Sequence, residues 1–176
     1  SLKINAKNYS WDKYGLAGIF VLSPDNREFS DLPNSGFEDV QFTADTQEIL
    51  DKAYMKIFNS GNITVSSDGK AYGILAPYAY VESRGDINVQ SSSAADYSAY
   101  GIAADYVDLY GSVSVSKIGD VAITSPVINF REGSSVGQGR IIANVARNYS
   151  DLNVPLLEVY DFYNYGTLKL ENDYVQ

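Results

Sequence analysis

The acidic side chains are the first candidates for chemistry in this sequence. Asp105 with Asp108, Glu38 with Asp39, and Asp25 with Glu28 are the close carboxylate pairs. Two carboxylates run glycoside hydrolysis when they stand roughly 5–9.5 Å apart across a sugar. A polysaccharide lyase needs a basic residue to take the α-proton. Arg27, Arg84, Arg131, Arg140 and Arg147 are available but form no cluster in the sequence. The 176 residues include no His and no Cys. That removes Ser-His-Asp and Cys-His catalysis, thiolate zinc sites and disulfides. No Asp-x-Asp-x-Asp calcium loop occurs either. The expectation is therefore a protein that is not an enzyme, with no catalytic residue, no cofactor and no metal. Its acids read as strand exteriors and turns.

Recognition chemistry is better represented. The chain holds 15 Tyr, each an apolar body with a polar tip. Tyr72, Tyr78, Tyr80, Tyr97, Tyr100, Tyr106 and Tyr110 fall close together and are the candidate ligand-contact surface, an aromatic strip rimmed by Asp and Ser. The competing reading packs most of them onto half-buried strands. Arg84-Gly85-Asp86 spells an integrin-type tripeptide, but Gly85 also occupies a repeat corner, where a neighbouring Asp serves local hydrogen bonding. Three glycosylation sequons start at Asn8, Asn62 and Asn148. A net charge of −9 argues against nucleic acid and acidic membrane surfaces as partners. No apolar run is long enough to cross a membrane as a helix.

These residues are positioned by a repeat. Gly61-Asn62-Ile63-Thr64-Val65, Gly85-Asp86-Ile87-Asn88-Val89 and Gly111-Ser112-Val113-Ser114-Val115 share one form, their glycines 24 and 26 residues apart. Ala71-Tyr72-Gly73-Ile74 returns 28 residues on as Ala99-Tyr100-Gly101-Ile102. Tyr80-Val81-Glu82 aligns with Tyr106-Val107-Asp108. Period-two alternation after each glycine predicts strands with Ile63, Val65, Ile87, Val89, Val113 and Val115 inside. The leading glycines are expected at tight corners, by positive φ or close backbone approach. Gly73 and Gly101 are expected at a second corner, with Ile74 and Ile102 turned inward and Tyr72 stacked on Tyr100. A short-strand repeat of this period predicts a solenoid.

Outside this stretch the unit loosens. Gly119-Asp120-Val121-Ala122-Ile123 reads as the next face of the same repeat, and Pro126 interrupts it. Residues 133–139 read as a flexible loop, 141–145 and 156–160 as strands, and 162–168 as another copy of the unit. Residues 23–37 read as an excursion loop and 43–54 as a short helix capped by Asp45.

The phrase Asn59-Ser60-Gly61-Asn62-Ile63-Thr64-Val65 followed by Ala71-Tyr72-Gly73-Ile74 resembles the repeats of bacterial autotransporter passenger domains. Residues 54–123 carry the resemblance well and 156–170 in part, whereas Ser83 and Leu109 depart from it at the Asn position. The resemblance implies an all-β fold, a single right-handed parallel β-helix with a less regular N-terminal segment. Residues 1–176 then form one domain: 1–53 an irregular cap or insertion, 54–123 the clearest repeats, 124–176 degenerate coils. It also implies an exported protein, secreted or displayed on the bacterial outer surface, acting in adhesion or virulence; the Ser-Leu-Lys start reads separately as a mature or excised segment. The expected partner is a host or cell-surface protein or glycan, without membrane insertion, with self-association through the solenoid ends. The alternatives are a carbohydrate-active β-helix enzyme, lyase or hydrolase, and a purely structural segment of a larger solenoid.

Overall fold

Short alternating strands set off by glycine corners dominate the structure, a computed structural model that describes residues 1–6, 15–21, 55–143, 145–148, 151–157, 162–164 and 168–169. Every regular element among the described residues is a β-strand. One sheet runs in the order β1 (Leu2–Ala6), β4 (Ile63–Ser67), β6 (Ile87–Ser91), β8 (Ser112–Val115), β11 (Ser135–Val136) and β16 (Leu168–Lys169). The other runs β14 (Asp151–Leu157), β13 (Val145–Asn148), β10 (Val127–Phe130), β7 (Ala99–Leu109), β9 (Val121–Thr124), β12 (Gly139–Ile142) and β15 (Phe162–Asn164). The long β5 (Ala71–Ser83) joins it through β7 and carries β2 (Leu16–Phe20) and β3 (Met55–Asn59) along its other side. The fold is thus all-β, and all pairs except those made by β14, β15 and β16 are parallel.

The pairing follows the sequence repeat residue by residue. Ile63 faces Ile87, which faces Val113, and Val65, Val89 and Val115 line up beside them. Tyr80, Val81 and Glu82 pair with Tyr106, Val107 and Asp108. All six aliphatic residues are buried and join Ile74, Ile102, Val81 and Val107 in one core. Burying one such side chain contributes on the order of 2 kcal/mol. Stacking like on like keeps that contribution available at every repeat.

Gly85 and Gly111 occupy corners, as expected, through close approach rather than positive φ. A Cβ on Gly85 would fall on the Gly61 carbonyl, and one on Gly111 would lie 2.5 Å from the Gly85 carbonyl oxygen. Gly73 and Gly101 correct the reading: they lie inside continuous strands, not between strands. A Cβ on either would strike a core residue, Ile87 or Val113, so the glycine points inward. The following Ile74 and Ile102 are also in the core. Two consecutive inward positions slip the alternation by one, which is what these glycines permit. A second shift comes further on, where β5 takes four steps from Ala76 to Tyr80 and β7 only two from Ala104 to Tyr106.

The flanks bring further corrections. Val121–Thr124 is the next face, as read: Tyr100 pairs with Val121 and Ile102 with Ile123. The loop expected at 133–139 contains β11, paired with β8. The strand expected at 141–145 is divided after Ile142; of that expected at 156–160, residues 156–157 close β14 and 158–160 lie outside the described residues. Residues 162–168 do place a strand on each side of Gly166, yet β15 and β16 run antiparallel to β12 and β11. Between β2 and β3 the chain spends residues 21–54, 34 positions, where β9 and β10 are separated by two. The excursion loop and capped helix read there lie outside the described residues, as does the sequon at Asn8. Leu2, Phe20 and Phe58 are 40, 42 and 68% exposed, one on each of the described strands nearest the N-terminus.

Candidate functional site

Strand alternation and the phase slips divide the tyrosines into two groups rather than one exposed strip. Tyr72 stacks on Tyr100 with ring centroids 4.8 Å apart, as the repeat predicts, and both pack with Tyr97, Val121 and Ile142. The Arg140 guanidinium lies 4.4 Å from the Tyr97 ring centre. Tyr97 has φ of 56°, a conformation uncommon outside glycine. Burial pushes the Tyr72 hydroxyl up to about 12. Tyr100 is buried, so this group is a small outer core and offers little to a ligand.

The second group lies on the outward side of β3, the later half of β5, the later half of β7, β10 and β13. Register sets its rows. Lys56, Tyr80, Tyr106, Val127 and Val145 form one; Phe58, Glu82, Asp108, Asn129 and Arg147 form the next. Arg84, Tyr110 and Arg131 continue just beyond the strand ends. Asp108 is the hub, its side chain 8% exposed. The Tyr80 hydroxyl donates to Asp108 Oδ2 at 2.7 Å, and Asn129 Nδ2 donates to Oδ1 at 2.8 Å. Arg131 Nη2 donates to both oxygens at 2.9 Å. Asn129 Nδ2 also donates to the Tyr106 hydroxyl, while its buried Oδ1 has no partner. Burial raises the Tyr80 pKa, and the hydrogen bond to the Asp108 carboxylate raises it further. Burial also raises Tyr106. For Arg131 burial works against the charge, but Asp108 outweighs it and the pKa is raised. A charge so surrounded is fixed in place.

The rim of this network reaches solvent. Phe58 meets Tyr80 edge-on at 6.2 Å, and Tyr80 meets Tyr106 at 5.4 Å. The Arg84 side chain is 56% exposed, and its guanidinium lies 4.1 Å above the Tyr110 ring. Arg131 approaches the same ring at 5.8 Å. Arg84 Nε donates to Glu82 Oε1 at 2.6 Å, which raises the arginine's pKa.

The remaining sequence candidates are placed as follows. Arg84-Gly85-Asp86 has a structural task at each residue: Arg84 stacks, Gly85 fills the corner, and Asp86 Oδ1 accepts from the Ser112 backbone N–H and hydroxyl. Asn62, of the second sequon, accepts from the Asp86 N–H through Oδ1. Asp105 stands on β7 three residues before Asp108. Glu38, Asp39, Asp25, Glu28 and Arg27 lie outside the described residues, and Tyr78 stands where β5 carries its extra residues. Among the described residues, no three acidic side chains group as metal ligands. Sequence reasoning missed Asp120, which is fully buried. Its Oδ1 accepts from the Ser98 and Ala99 N–H groups and the Ser98 hydroxyl, and its Oδ2 from Ser116. Its position after a corner glycine, like that of Asp86, was the available signal.

Comparison with protein-family models, curated proteins and solved structures finds no match.

Proposed function

We propose that this chain is a single right-handed parallel β-helix and serves as a surface-displayed binding segment of an exported protein, of the bacterial autotransporter passenger kind. The observation that carries the reading is the in-register parallel pairing of successive repeats, Ile63 to Ile87 to Val113 and Tyr80 to Tyr106. Such pairing makes a rigid rod whose exterior is free to vary, the arrangement repeat proteins use for extended binding surfaces. The binding face in this reading is the one built on Asp108, where Phe58, Tyr80, Glu82, Arg84, Tyr110 and Arg131 converge. It binds without chemistry. Asp108 accepts hydrogen bonds at both oxygens, which suits an anchor better than a general base or nucleophile. Host-cell and glycan-array binding by the purified chain tests the function: saturable binding supports it, and none at micromolar concentration sinks it. Gene context tests the export route, since an autotransporter encodes a membrane barrel downstream in the same reading frame.

A further inference from the structure

The rim of the Asp108 network has one cation with its best donors unspent. Arg84 bonds Glu82 through Nε, and among the described residues neither Nη1 nor Nη2 has a partner. The ring of Tyr110 beneath holds the guanidinium plane. A guanidinium held this way presents a planar fork that matches a carboxylate or sulfate in two parallel hydrogen bonds. Phe58 is the most exposed large apolar side chain among the described residues. It stands on β3, two strands from the Tyr110 row. Two strands across and two residues along from Phe58, Tyr110 stands roughly 12 Å away, a span of disaccharide size. Charge points the same way. The chain carries −9 overall, yet the outward rows hold Lys56 and Arg147 against Glu82 and Asp108, with Arg84 and Arg131 added just beyond the strand ends. The Tyr80, Asn129 and Arg131 bonds to Asp108 fix the floor beneath, so little ordering is left to be done on binding.

Resting on the binding function above, we propose that this face takes an anionic glycan. The Arg84 fork receives a carboxylate or sulfate of one sugar, and the Phe58 ring packs against the C–H face of its neighbour. Lys56 and Arg131 add charge at the edges. An acidic peptide would satisfy the fork, but the exposed Phe58 ring, set edge-on against Tyr80, offers a flat face that suits the C–H face of a sugar, so the glycan is the better fit.

The test is calorimetric titration of the purified chain with four oligosaccharide sets of equal length: uronate-containing, sialylated, sulfated and neutral. The expected result is binding of anionic sets and weaker binding, by about tenfold or more, of the neutral set. Preference among the three identifies the anion. Arg84→Ala should lose about tenfold or more in affinity, and Arg84→Lys most of that, because it keeps the charge but not the fork. Phe58→Ala should lose about three- to tenfold. Each variant is checked for wild-type circular dichroism, and Asn88→Ala, on the opposite sheet, serves as the control that stays unchanged. Equal binding of neutral and anionic sets, no glycan binding at all, or an Arg84→Ala affinity equal to wild type overturns the proposal. A parallel arm uses host cells stripped of sialic acid and sulfated glycans. Undiminished binding there overturns the glycan assignment while leaving the binding function standing. Absence of binding to untreated cells as well as to all four sets removes both.

Discussion

The same repeats present two outward faces, and the two are chemically unlike. On β4, β6 and β8 the outward positions are Thr64, Ser66, Asn88, Gln90 and Ser114, small or uncharged, with neighbours in register. On the later halves of β5 and β7 and on β10 the outward positions include Tyr80, Tyr106, Asp108 and Asn129, bonded into one network, with Glu82 bonded to Arg84 at its rim. Both faces share one aliphatic interior. The interior accounts for the fold and is filled mainly by Ile, Val and Ala, with Leu109 and Phe130. The exterior is left to vary, and one face has accumulated aromatic and charged groups beyond what pairing requires. Function is therefore better sought where exterior chemistry is dense than where the repeat is most regular.

The largest effect should come from breaking what the faces share. Ile87→Ala removes a fully buried side chain from the middle of the aliphatic stack. It should cost about 4 kcal/mol in urea unfolding and weaken both faces together. Next, Asp108→Ala strips Arg131, Tyr80 and Asn129 of a shared acceptor. It should cost about 3 kcal/mol, with Arg131 left against an uncompensated site. Alkali gives a third handle. The Tyr72 pKa is raised from 10.0 to about 12 in the fold, so the folded state holds its proton more tightly. Its stabilisation is complete below pH 10 and is lost as pH rises from 10 towards 12, worth on the order of 2–3 kcal/mol. Tyr80 is raised in the same direction. In Tyr72→Phe the pH dependence of the unfolding midpoint over that window should be visibly shallower. The smallest effect belongs to the regular face: Asn88→Ala and Gln90→Ala should each change stability by less than about 0.5 kcal/mol.

Much of the interior was legible in the sequence because its two signals are local. A glycine followed by alternating aliphatics marks both a corner and an inward side, and Gly61, Gly85 and Gly111 gave the register that the strands adopt. The fine geometry at Gly73 was not legible, since period two does not reveal where two successive residues turn inward. Nor does alternation carry direction: 162–168 has the right phrase, yet its strands run antiparallel. The proposed binding face was half visible. The alignment placed Tyr80 on Tyr106 and Glu82 on Asp108, but Asn129 and Arg131 lie beyond Pro126, where the repeat has decayed and no pattern ties them to Asp108. The seven tyrosines looked like one strip because spacing in sequence does not report the slip that sends Tyr72 and Tyr80 to separate clusters.

The central claim is that recognition resides on the Asp108 face and not on the Ser/Thr/Asn/Gln face. It is tested most directly by measuring host-cell binding of two double variants side by side, Phe58→Ala with Arg84→Ala, and Asn88→Ala with Gln90→Ala. Both should retain the wild-type circular dichroism, since all four side chains point outward from an intact interior. The account predicts that the first pair lowers affinity by about tenfold or more and the second leaves it unchanged. Loss of binding in the second pair with retention in the first would contradict it.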